Sequence, residues 1–389
     1  MKVVFCTNIW NHHQGPVAKE LAYLLGDDFK MLLHQPLDHP YSIDRIKNGW
    51  NINPPCEKWI VGPPATCENA NYSKYVVVSM DADVLICDSL PPYLNYGLLR
   101  QRRKSGKINI ITSERLLKKA LRLRDKLSPR WQLSRIKRYF QYESSGIHFL
   151  TMSHWCADDL AYFHACRNRT WRWGYLTAVS GNFVPKKRKE HVYIGWCGRM
   201  LTCKRVADII EAFRRLPRDL RNIARVRLVG SGECEQDLKD IVAAYGLSEY
   251  VSFHPFMSHM DAMVFLQEID IFVFPSDRNE GWGATLLEAM DRGCAVIASK
   301  AAGATLDVVE DGKNGFAVEC SNVDMISSRI ANLLRDEKLR LQMGYLAWKS
   351  IQNWSPQEGA RRLVLLMRNL ANHSVGTMQV FHGLCERVR

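Results

Sequence analysis

The sequence predicts an α/β protein built from two doubly wound, Rossmann-like domains that face each other across a cleft. Short apolar runs alternate with amphipathic stretches along most of the chain, which is typical of parallel sheets covered by helices. The alternation stops at residues 180–190, where Gly, Pro and charged residues show no periodicity and indicate a linker. The 389 residues are enough for two domains of ordinary size.

The first half of the chain begins with an apolar strand over residues 2–6. A loop follows it, and Pro16 is well placed to open a helix over residues 17–25. Further strands are predicted at residues 29–34, 84–87, 108–112 and 148–152, with helices between them.

A second strand and helix series starts after residue 190. Strands are predicted at residues 193–196, 225–229, 251–253, 271–274 and 295–298, and helices at residues 205–214, 234–244, 284–291, 323–334 and 339–352. Ligands of doubly wound domains bind beyond the carboxyl ends of the strands, so we expect the ligand site in the cleft.

The most informative motif joins the strand at residues 271–274 to the following helix. Glu280-Gly281-Trp282-Gly283 opens this helix, its glycines allow close approach to a ligand, and the free amides of the helix start favour phosphate. Glu280 is placed to reach a sugar held at a diphosphate, and Glu288, further along the helix, to reach ribose hydroxyls. The alternative is two solvated glutamates, but their coincidence with the glycines favours a ligand site.

A second strand-to-helix turn contains Gly198, Arg199 and Lys204. Two cations at such a turn can neutralise a diphosphate leaving group, as a divalent metal does in other transferases. Taken alone, this motif is explained more readily by solvated basic side chains, because the whole chain is basic.

Together, these motifs resemble the family 4 glycosyltransferases, which are retaining enzymes with the GT-B fold. The matching motifs are Gly198-Arg199 with Lys204, Gly230-Ser231-Gly232-Glu233, Glu280 through Glu288, and Glu310-Asp311-Gly312-Lys313-Asn314-Gly315. The resemblance covers about residues 194–354. It implies a nucleotide-diphosphate sugar donor, retention of anomeric configuration, closure of two domains, and a last helix that returns to the first domain.

The resemblance also implies roles for individual residues. Arg199 and Lys204 would hold the donor diphosphate, Glu280 would contact the transferred sugar, and these three are the candidate catalytic residues. Glu288 would contact the ribose. The other candidate donor-binding residues are Gly281, Trp282, Gly283, Ala284 and Thr285 beside the phosphates, Phe256 and Met257 beside the base, and Gly15 in the first loop. No metal and no resident cofactor are expected.

The acceptor side carries fewer matching residues. The family often has a histidine after the strand predicted at residues 108–112, whereas this chain has Ser113-Glu114. His12, His13 and Glu114 are the acceptor-side candidates, and ordinary polar loop residues explain each of them equally well. We expect residues 1–185 to form the acceptor-side domain, residues 186–365 the nucleotide-sugar-binding domain, and residues 366–389 a C-terminal helix and tail returning toward the first domain.

The net charge of +13 is concentrated in one segment. From Arg100 to Arg138 the chain has 15 basic and 2 acidic residues, so this segment alone accounts for the whole excess. Leucines alternate with the cations, which favours peripheral contact with an anionic membrane. Nucleic acid is the less favoured partner, because no nucleic-acid-binding motif accompanies the segment and aromatic residues do not alternate with the cations as base stacking would require. The third interpretation is a solvated basic helix face.

The remaining composition indicates a globular protein. The twelve cysteines show no paired spacing typical of zinc sites, and we expect reduced thiols. The N-terminal apolar run is too short for a signal peptide and no stretch has the length of a membrane span, so we expect a cytoplasmic protein, peripheral on the cytoplasmic membrane face if the basic segment binds lipid.

These features support one leading hypothesis and one alternative. The leading hypothesis is a metal-independent, hexosyltransferase-type glycosyltransferase that modifies a lipid-linked or glycan acceptor in cell-surface polysaccharide biosynthesis. The alternative is a non-catalytic protein of the same fold that binds nucleotide sugars or serves as a membrane or nucleic-acid adaptor. Among other enzymes, an epimerase or a phosphorylase of similar fold ranks next.

Overall fold

The computed structural model describes residues 1–47, 52–64, 66–67, 71–117, 127–187, 189–372 and 383–388. Contacts between residues group the chain into two units. Unit 1 comprises Met1–Ala178 and Trp354–Arg389, and unit 2 comprises Val179–Asn353. Contacts therefore place residues 354–365 with unit 1. The division into an acceptor-side domain ending at residue 185 and a nucleotide-sugar-binding domain ending at residue 365 stays a prediction.

Unit 1 contains a parallel sheet of seven strands among its described residues, in the order β3-β2-β1-β4-β5-β6-β7. The strands are β1 (Val3–Thr7), β2 (Phe29–Leu33), β3 (Ile60–Val61), β4 (Val84–Cys87), β5 (Ile108–Ser113), β6 (Ile147–Met152) and β7 (Thr170–Trp173). The central strands are buried on both faces, so their sequences are continuous apolar runs. The strand order reverses between β1 and β4.

Helices cover this sheet. They are α1 (Gly15–Leu25), α2 (Pro40–Lys47), α3 (Ser73–Asp81), α4 (Tyr96–Lys104), α5 (Pro129–Ser144) and α6 (His154–Tyr162), and a 3₁₀ turn, Gly26–Asp28, follows α1. Residues 118–126 of the basic segment, where leucines alternate with cations, lie outside the described residues.

Unit 2 contains a second parallel sheet, of six described strands in the order β10-β9-β8-β11-β12-β13. The strands are β8 (Val192–Cys197), β9 (Ala224–Val229), β10 (Val251–His254), β11 (Ile271–Phe274), β12 (Ala295–Ser299) and β13 (Phe316–Val318). The order reverses between β8 and β11, which are direct neighbours through Ile194 and Ile271.

Eight helices follow the strands of unit 2 within its described residues. They are α7 (Val206–Arg214), α8 (Arg218–Asn222), α9 (Glu235–Ala244), α10 (His259–Glu268), α11 (Ala284–Asp291), α12 (Thr305–Val308), α13 (Val323–Arg335) and α14 (Glu337–Ile351), with 3₁₀ turns at Thr202–Lys204 and Gln352–Trp354. Apolar side chains of α7, including Ile209, Ile210 and Phe213, are fully buried against the sheet. Two parallel α/β units confirm the predicted fold class.

The last helix, α15 (Pro356–Ala371), belongs to unit 1 and packs against α1. Pro356 occupies its first turn, where no backbone donor is needed, and the Ser355 hydroxyl accepts a hydrogen bond from the Glu358 amide at 3.2 Å. The Gln357 side chain donates to Glu20 on α1 at 2.9 Å. The chain therefore completes unit 1 after unit 2 has ended.

The segment predicted as a linker is docked on unit 2. Its described residues form neither helix nor strand. However, the Lys186 ammonium donates to the carbonyls of Leu266 and Gln267, both at 3.0 Å, near the end of α10. Carbonyls at the end of a helix carry partial negative charge, so a cation stabilises them.

Part of the basic segment serves unit 1 internally. The Arg102 side chain is fully buried and donates to Asn109 at 2.9 Å and to the Ala82 and Ile108 carbonyls at 2.9 and 3.0 Å. Arg115 forms a buried ion pair with Asp159 at 3.5 Å. Only a subset of the 15 cations is therefore available to an external partner.

All twelve cysteines lie in the described part of the chain and carry free thiols. None of the helices in that part combines the length and apolarity that a membrane span requires.

Candidate active site

The loops after β8 and β11 meet at the position where the strand order of unit 2 reverses. Ligands of open parallel sheets bind at such a position, beyond the carboxyl ends of the strands. The turn Thr202–Lys204 follows β8, and Glu280 follows β11. A backbone hydrogen bond of 2.8 Å from the Asp277 amide to the Cys203 carbonyl joins the two loops.

Lys204 and Glu280 form an ion pair between these loops. Their side chains are 19% and 11% exposed, so the pair lies close to the surface but is largely shielded from water. The Ser276 hydroxyl also donates to Glu280 at 3.3 Å. Two of the three candidate catalytic residues, 76 positions apart in sequence, are therefore adjacent in the structure.

Arg199 stands apart from this pair. Arg199 is exposed, and no ion pair or side-chain hydrogen bond connects it to another described residue. Such a cation is accessible to an anionic ligand, but the structure does not join it to Lys204 and Glu280.

The start of α11 depends on two glycines. Gly283 has φ +99°, and a Cβ there would lie 2.4 Å from a ring carbon of Phe274. A Cβ on Gly303 would lie 1.9 Å from the Gly281 carbonyl oxygen, so this loop packs directly on the turn. The first-turn amides of Ala284 and Thr285 have no acceptor within the helix, and both residues are half-buried. This arrangement is suited to an anion.

The Trp282 ring is buried at 1% exposure beside this turn, whereas Phe256 is 48% exposed in the loop after β10. Met257 is half-buried in the same loop. An exposed aromatic ring at this edge of the sheet is available to a planar base, whereas Trp282 belongs to the core and offers a ligand little more than its backbone.

Glu288 lies on the second turn of α11 and is buried. The His259 Nε2 lies 3.2 Å from its Oε1, and this hydrogen bond raises the pKa of His259. Burial, together with the Glu288 charge, raises the pKa of the neighbouring Cys197 thiol to about 12, so that thiol stays protonated. Sequence reasoning found Glu288 and missed His259, although His259 directly follows the Phe256–Ser258 loop.

The acceptor-side candidates cluster within unit 1 through a residue that the sequence did not single out. The Tyr175 hydroxyl donates to Glu114 at 2.5 Å, and its ring stacks on His13 with centroids 4.8 Å apart. The rings of His12 and His13 are 3.9 Å apart. Burial and the Glu114 charge raise the pKa of Tyr175 well above its ordinary value, so its hydroxyl is a donor.

Gly15 begins α1 in the same unit, and a Cβ there would lie 2.7 Å from the Trp10 ring. Asp88, at the end of β4, accepts from the Thr7 hydroxyl at 2.5 Å, across the reversal of the strand order. Burial raises the pKa of Asp88, and the hydrogen bond from Thr7 partly opposes this rise. Asp88 is a further polar group at this edge that sequence reasoning missed.

Neither unit, taken by itself, assembles three His, Cys, Asp or Glu side chains within metal-binding distance among its described residues. Metal independence stays a prediction.

Residues 182–349 match the model of the glycosyl transferases group 1 family. The matched segment contains Arg199, Lys204, Glu280 and Glu288. An uncharacterised glycosyltransferase of Methanocaldococcus jannaschii is 28% identical over 190 residues, which are 49% of this chain and 48% of that protein. The capsular polysaccharide biosynthesis glycosyltransferase CapM of Staphylococcus aureus is 28% identical over 168 residues, 43% of each chain. The matches thus span less than half of each relative.

Solved structures show the same fold over a larger part of the chain. HepE of Anabaena in complex with UDP superposes with a TM-score of 0.68 at 15% identity, covering 95% of this chain and 100% of that chain. TarM of S. aureus, in complex with fondaparinux, α-GlcNAc-glycerol and UDP, gives a TM-score of 0.56 at 18% identity, covering 77% and 57%. These neighbours support the GT-B architecture.

Proposed function

We propose that this chain is a retaining, metal-independent hexosyltransferase that moves a sugar from a nucleotide-diphosphate donor to a lipid-linked or glycan acceptor in cell-surface polysaccharide biosynthesis. The observation that carries the proposal is the Lys204–Glu280 ion pair at the reversal of strand order, beside the free amides of the α11 start. The match over residues 182–349 and the role of the similar protein CapM in capsular polysaccharide biosynthesis support the same class of reaction.

In this proposal the diphosphate lies at the start of α11. The amides of Ala284 and Thr285 and the cation of Lys204 stabilise the charge that develops on the leaving group, with Arg199 as a second cation. Glu280 then accepts hydrogen bonds from the sugar, and Glu288 from the ribose. The Lys204 cation is then shared between the Glu280 carboxylate and the diphosphate, so it also offsets the repulsion between these two groups.

The proposed transfer breaks the bond between the anomeric carbon and the diphosphate oxygen, whose electron pair leaves with the nucleoside diphosphate. The acceptor oxygen bonds to the same face of the sugar, which preserves the anomeric configuration. The acceptor proton passes to the departing phosphate oxygen. The protein therefore supplies orientation, charge stabilisation and exclusion of water.

Nucleoside diphosphate release from a nucleotide sugar tests the catalytic assignment. We expect Lys204→Ala, Arg199→Ala and Glu280→Gln each to lower the release rate on the order of 100-fold, since each removes a group that stabilises the transition state. A thermal-shift screen against UDP, GDP, ADP and their sugars first selects the donor, because a bound donor raises the melting temperature.

Lys239→Ala is the matched control for this experiment. Lys239 is a surface lysine of the same unit and pairs with Glu235 on α9 at 2.7 Å, so its loss should leave release unchanged. A chelator should leave the wild-type rate unchanged as well. Unaltered release in Lys204→Ala and Arg199→Ala would contradict the site, and donor binding without any turnover would favour the adaptor.

We also propose that α5 brings unit 1 to an anionic membrane, where a lipid-linked acceptor resides. Leu133, Ile136 and Phe140 are 68%, 47% and 62% exposed, and their spacing puts them on one side of the helix. Arg130 and Lys137 are exposed on the same helix. Exposed apolar side chains flanked by cations suit an anionic bilayer surface better than nucleic acid, which offers no apolar layer.

A further inference from the structure

The Glu288 carboxylate is the starting point, because it is buried and yet has few partners. Within the described part of the chain, its side chain has one hydrogen-bond partner, His259, which contacts Oε1 at 3.2 Å. A buried carboxylate with a single partner retains unused acceptor capacity at its second oxygen. In the proposed function, that capacity serves the ribose.

The His259 backbone is held in place independently of Glu288. His259 is the first residue of α10, and the preceding Ser258 caps this helix by accepting from the Asp261 amide at 3.2 Å. The helices α10 and α11 pack against each other. The imidazole therefore reaches Glu288 from a neighbouring helix whose start is fixed.

The hydrogen bond between the two side chains is charge-assisted. Glu288 raises the pKa of His259, which means that the contact stabilises the protonated ring. Burial of the ring and the nearby Arg292 oppose this rise. A hydrogen bond to a charged group is stronger than a neutral one, so it restricts the rotamer of the carboxylate.

We propose that His259 is a positioning residue that orients Glu288 toward the ribose, and that the pair selects nucleotides with a ribose over those with a 2′-deoxyribose. This inference rests on the proposed function. A ribose can donate hydrogen bonds to a carboxylate from both its 2′- and its 3′-hydroxyl, whereas a 2′-deoxyribose can donate only from its 3′-hydroxyl. The selection requires an orientation that a freely rotating glutamate would not keep.

Paired titrations with nucleoside diphosphates test the inference on the full chain. UDP, GDP and ADP are each compared with their 2′-deoxy forms by calorimetry, and the ratio of the two dissociation constants is measured. For the nucleotide that binds, we expect a wild-type ratio of about 10 or more, since hydrogen bonds to charged groups are strong. His259→Ala should reduce the ratio to about 2, with turnover at saturating donor largely retained.

Two further variants of unit 2 separate positioning from a structural role. His259→Gln retains a side-chain N–H donor and should restore most of the ribose preference. Met260→Ala changes an exposed neighbour on the same helix and should leave the ratio unchanged. Equal melting temperatures of these variants would show that altered ratios are not due to unfolding.

The Glu288→Gln variant distinguishes a failure of the inference about His259 from a failure of the proposed donor site. If Glu288→Gln loses the ribose preference while His259→Ala keeps it, the inference is overturned and the proposed function stands. If Glu288→Gln also keeps the preference, or if none of the three nucleotides binds, the proposed donor site itself fails, and the inference fails with it.

Discussion

Two histidines of unit 1, the buried His34 and the half-buried His148, couple the stability of this fold to pH. Burial lowers the pKa of His34 and of His148 to about 4, and the charge of Arg169 adds to the effect at His148. The His148 ring accepts a hydrogen bond from the Trp171 indole at 3.4 Å. Each ring is therefore neutral in the folded chain at pH values where it would be protonated in the unfolded chain.

We predict that the chain loses stability as pH falls from about 6.5 to about 4. In this window the unfolded state binds protons that the folded state excludes, so acid favours unfolding by up to about 3 kcal/mol for each histidine. Unfolding free energies measured by denaturant titration across this window should show a smaller slope for His148→Gln, which keeps an acceptor for Trp171.

His154→Gln, at an exposed position, is the control and should follow the wild-type profile. If His148→Gln and wild type gave superimposable profiles, the neutral ring of His148 would not be a source of the acid sensitivity.

The candidate site shows what local sequence can reveal about residues. Glu280 and Glu288 were found because glycines, a strand end and a helix start coincide within a few positions. His259 in unit 2 and Tyr175 in unit 1 were missed because each contacts a candidate residue that is far away in sequence, Glu288 or Glu114. No spacing rule connects such pairs before the sheet brings their strands together.

At the scale of elements, helices and strands were predicted well where their side chains are buried in long apolar runs. β4, β11 and α11 match their predicted bounds, because continuous apolar runs and a glycine turn delimit them. The strands β3, β7 and β13 were not predicted. They have two to four residues each, at or near the sheet edges, where a short run carries no periodicity.

The basic segment was misleading in one respect at this scale, since a count of charges does not distinguish Arg102 from Arg130. Arg102 lies within α4, is buried and donates to two backbone carbonyls of unit 1, whereas Arg130 is exposed on α5. Among the described residues of this segment, α5 presents a face with both apolar and basic side chains.

We predict that the α5 face determines membrane binding. Leu133→Glu with Phe140→Glu should reduce co-sedimentation with phosphatidylglycerol vesicles more than about tenfold, because each apolar side chain is worth about 1.5–3 kcal/mol when buried. Neutral phosphatidylcholine vesicles should bind the wild type weakly.

Tyr23→Glu provides the comparison, since Tyr23 is even more exposed than Leu133 and Phe140 but lies on α1. Retained vesicle binding by the double variant would rule out this face, and capture of an RNA oligonucleotide by wild type but not by Arg130→Ala with Lys137→Ala would favour nucleic acid instead.

At the scale of the whole molecule, unit 2 begins and ends at one carboxylate. Asp291, at the end of α11, accepts from the Ser180 amide at 2.8 Å and from the Ser180 hydroxyl at 2.9 Å. Gln352 donates to the same oxygen at 3.4 Å. The first and last segments of unit 2 are thus fastened to the helix that opens at the candidate diphosphate site.

We predict that Asp291→Ala destabilises the chain by about 2–4 kcal/mol, because it leaves the partly buried Ser180 amide without its acceptor and removes the buried carboxylate that also binds Gln352. Denaturant unfolding measures the loss, and limited proteolysis should detect faster cleavage near residue 180. Asp240→Ala, an exposed position on α9, should change the unfolding free energy by less than about 0.5 kcal/mol. Equal stabilities of the two variants would contradict the role of Asp291.

The fastening at Asp291 has a consequence for how such chains diversify. The two ends of unit 2 are bound to the same carboxylate. Residues 179–353 are therefore a continuous insertion in the chain of unit 1, which α15 then completes. Exchange of this segment for a homologous one needs one junction near residue 179 and another near residue 353. Both new ends would have to keep their hydrogen bonds to Asp291 for the exchanged unit to stay anchored.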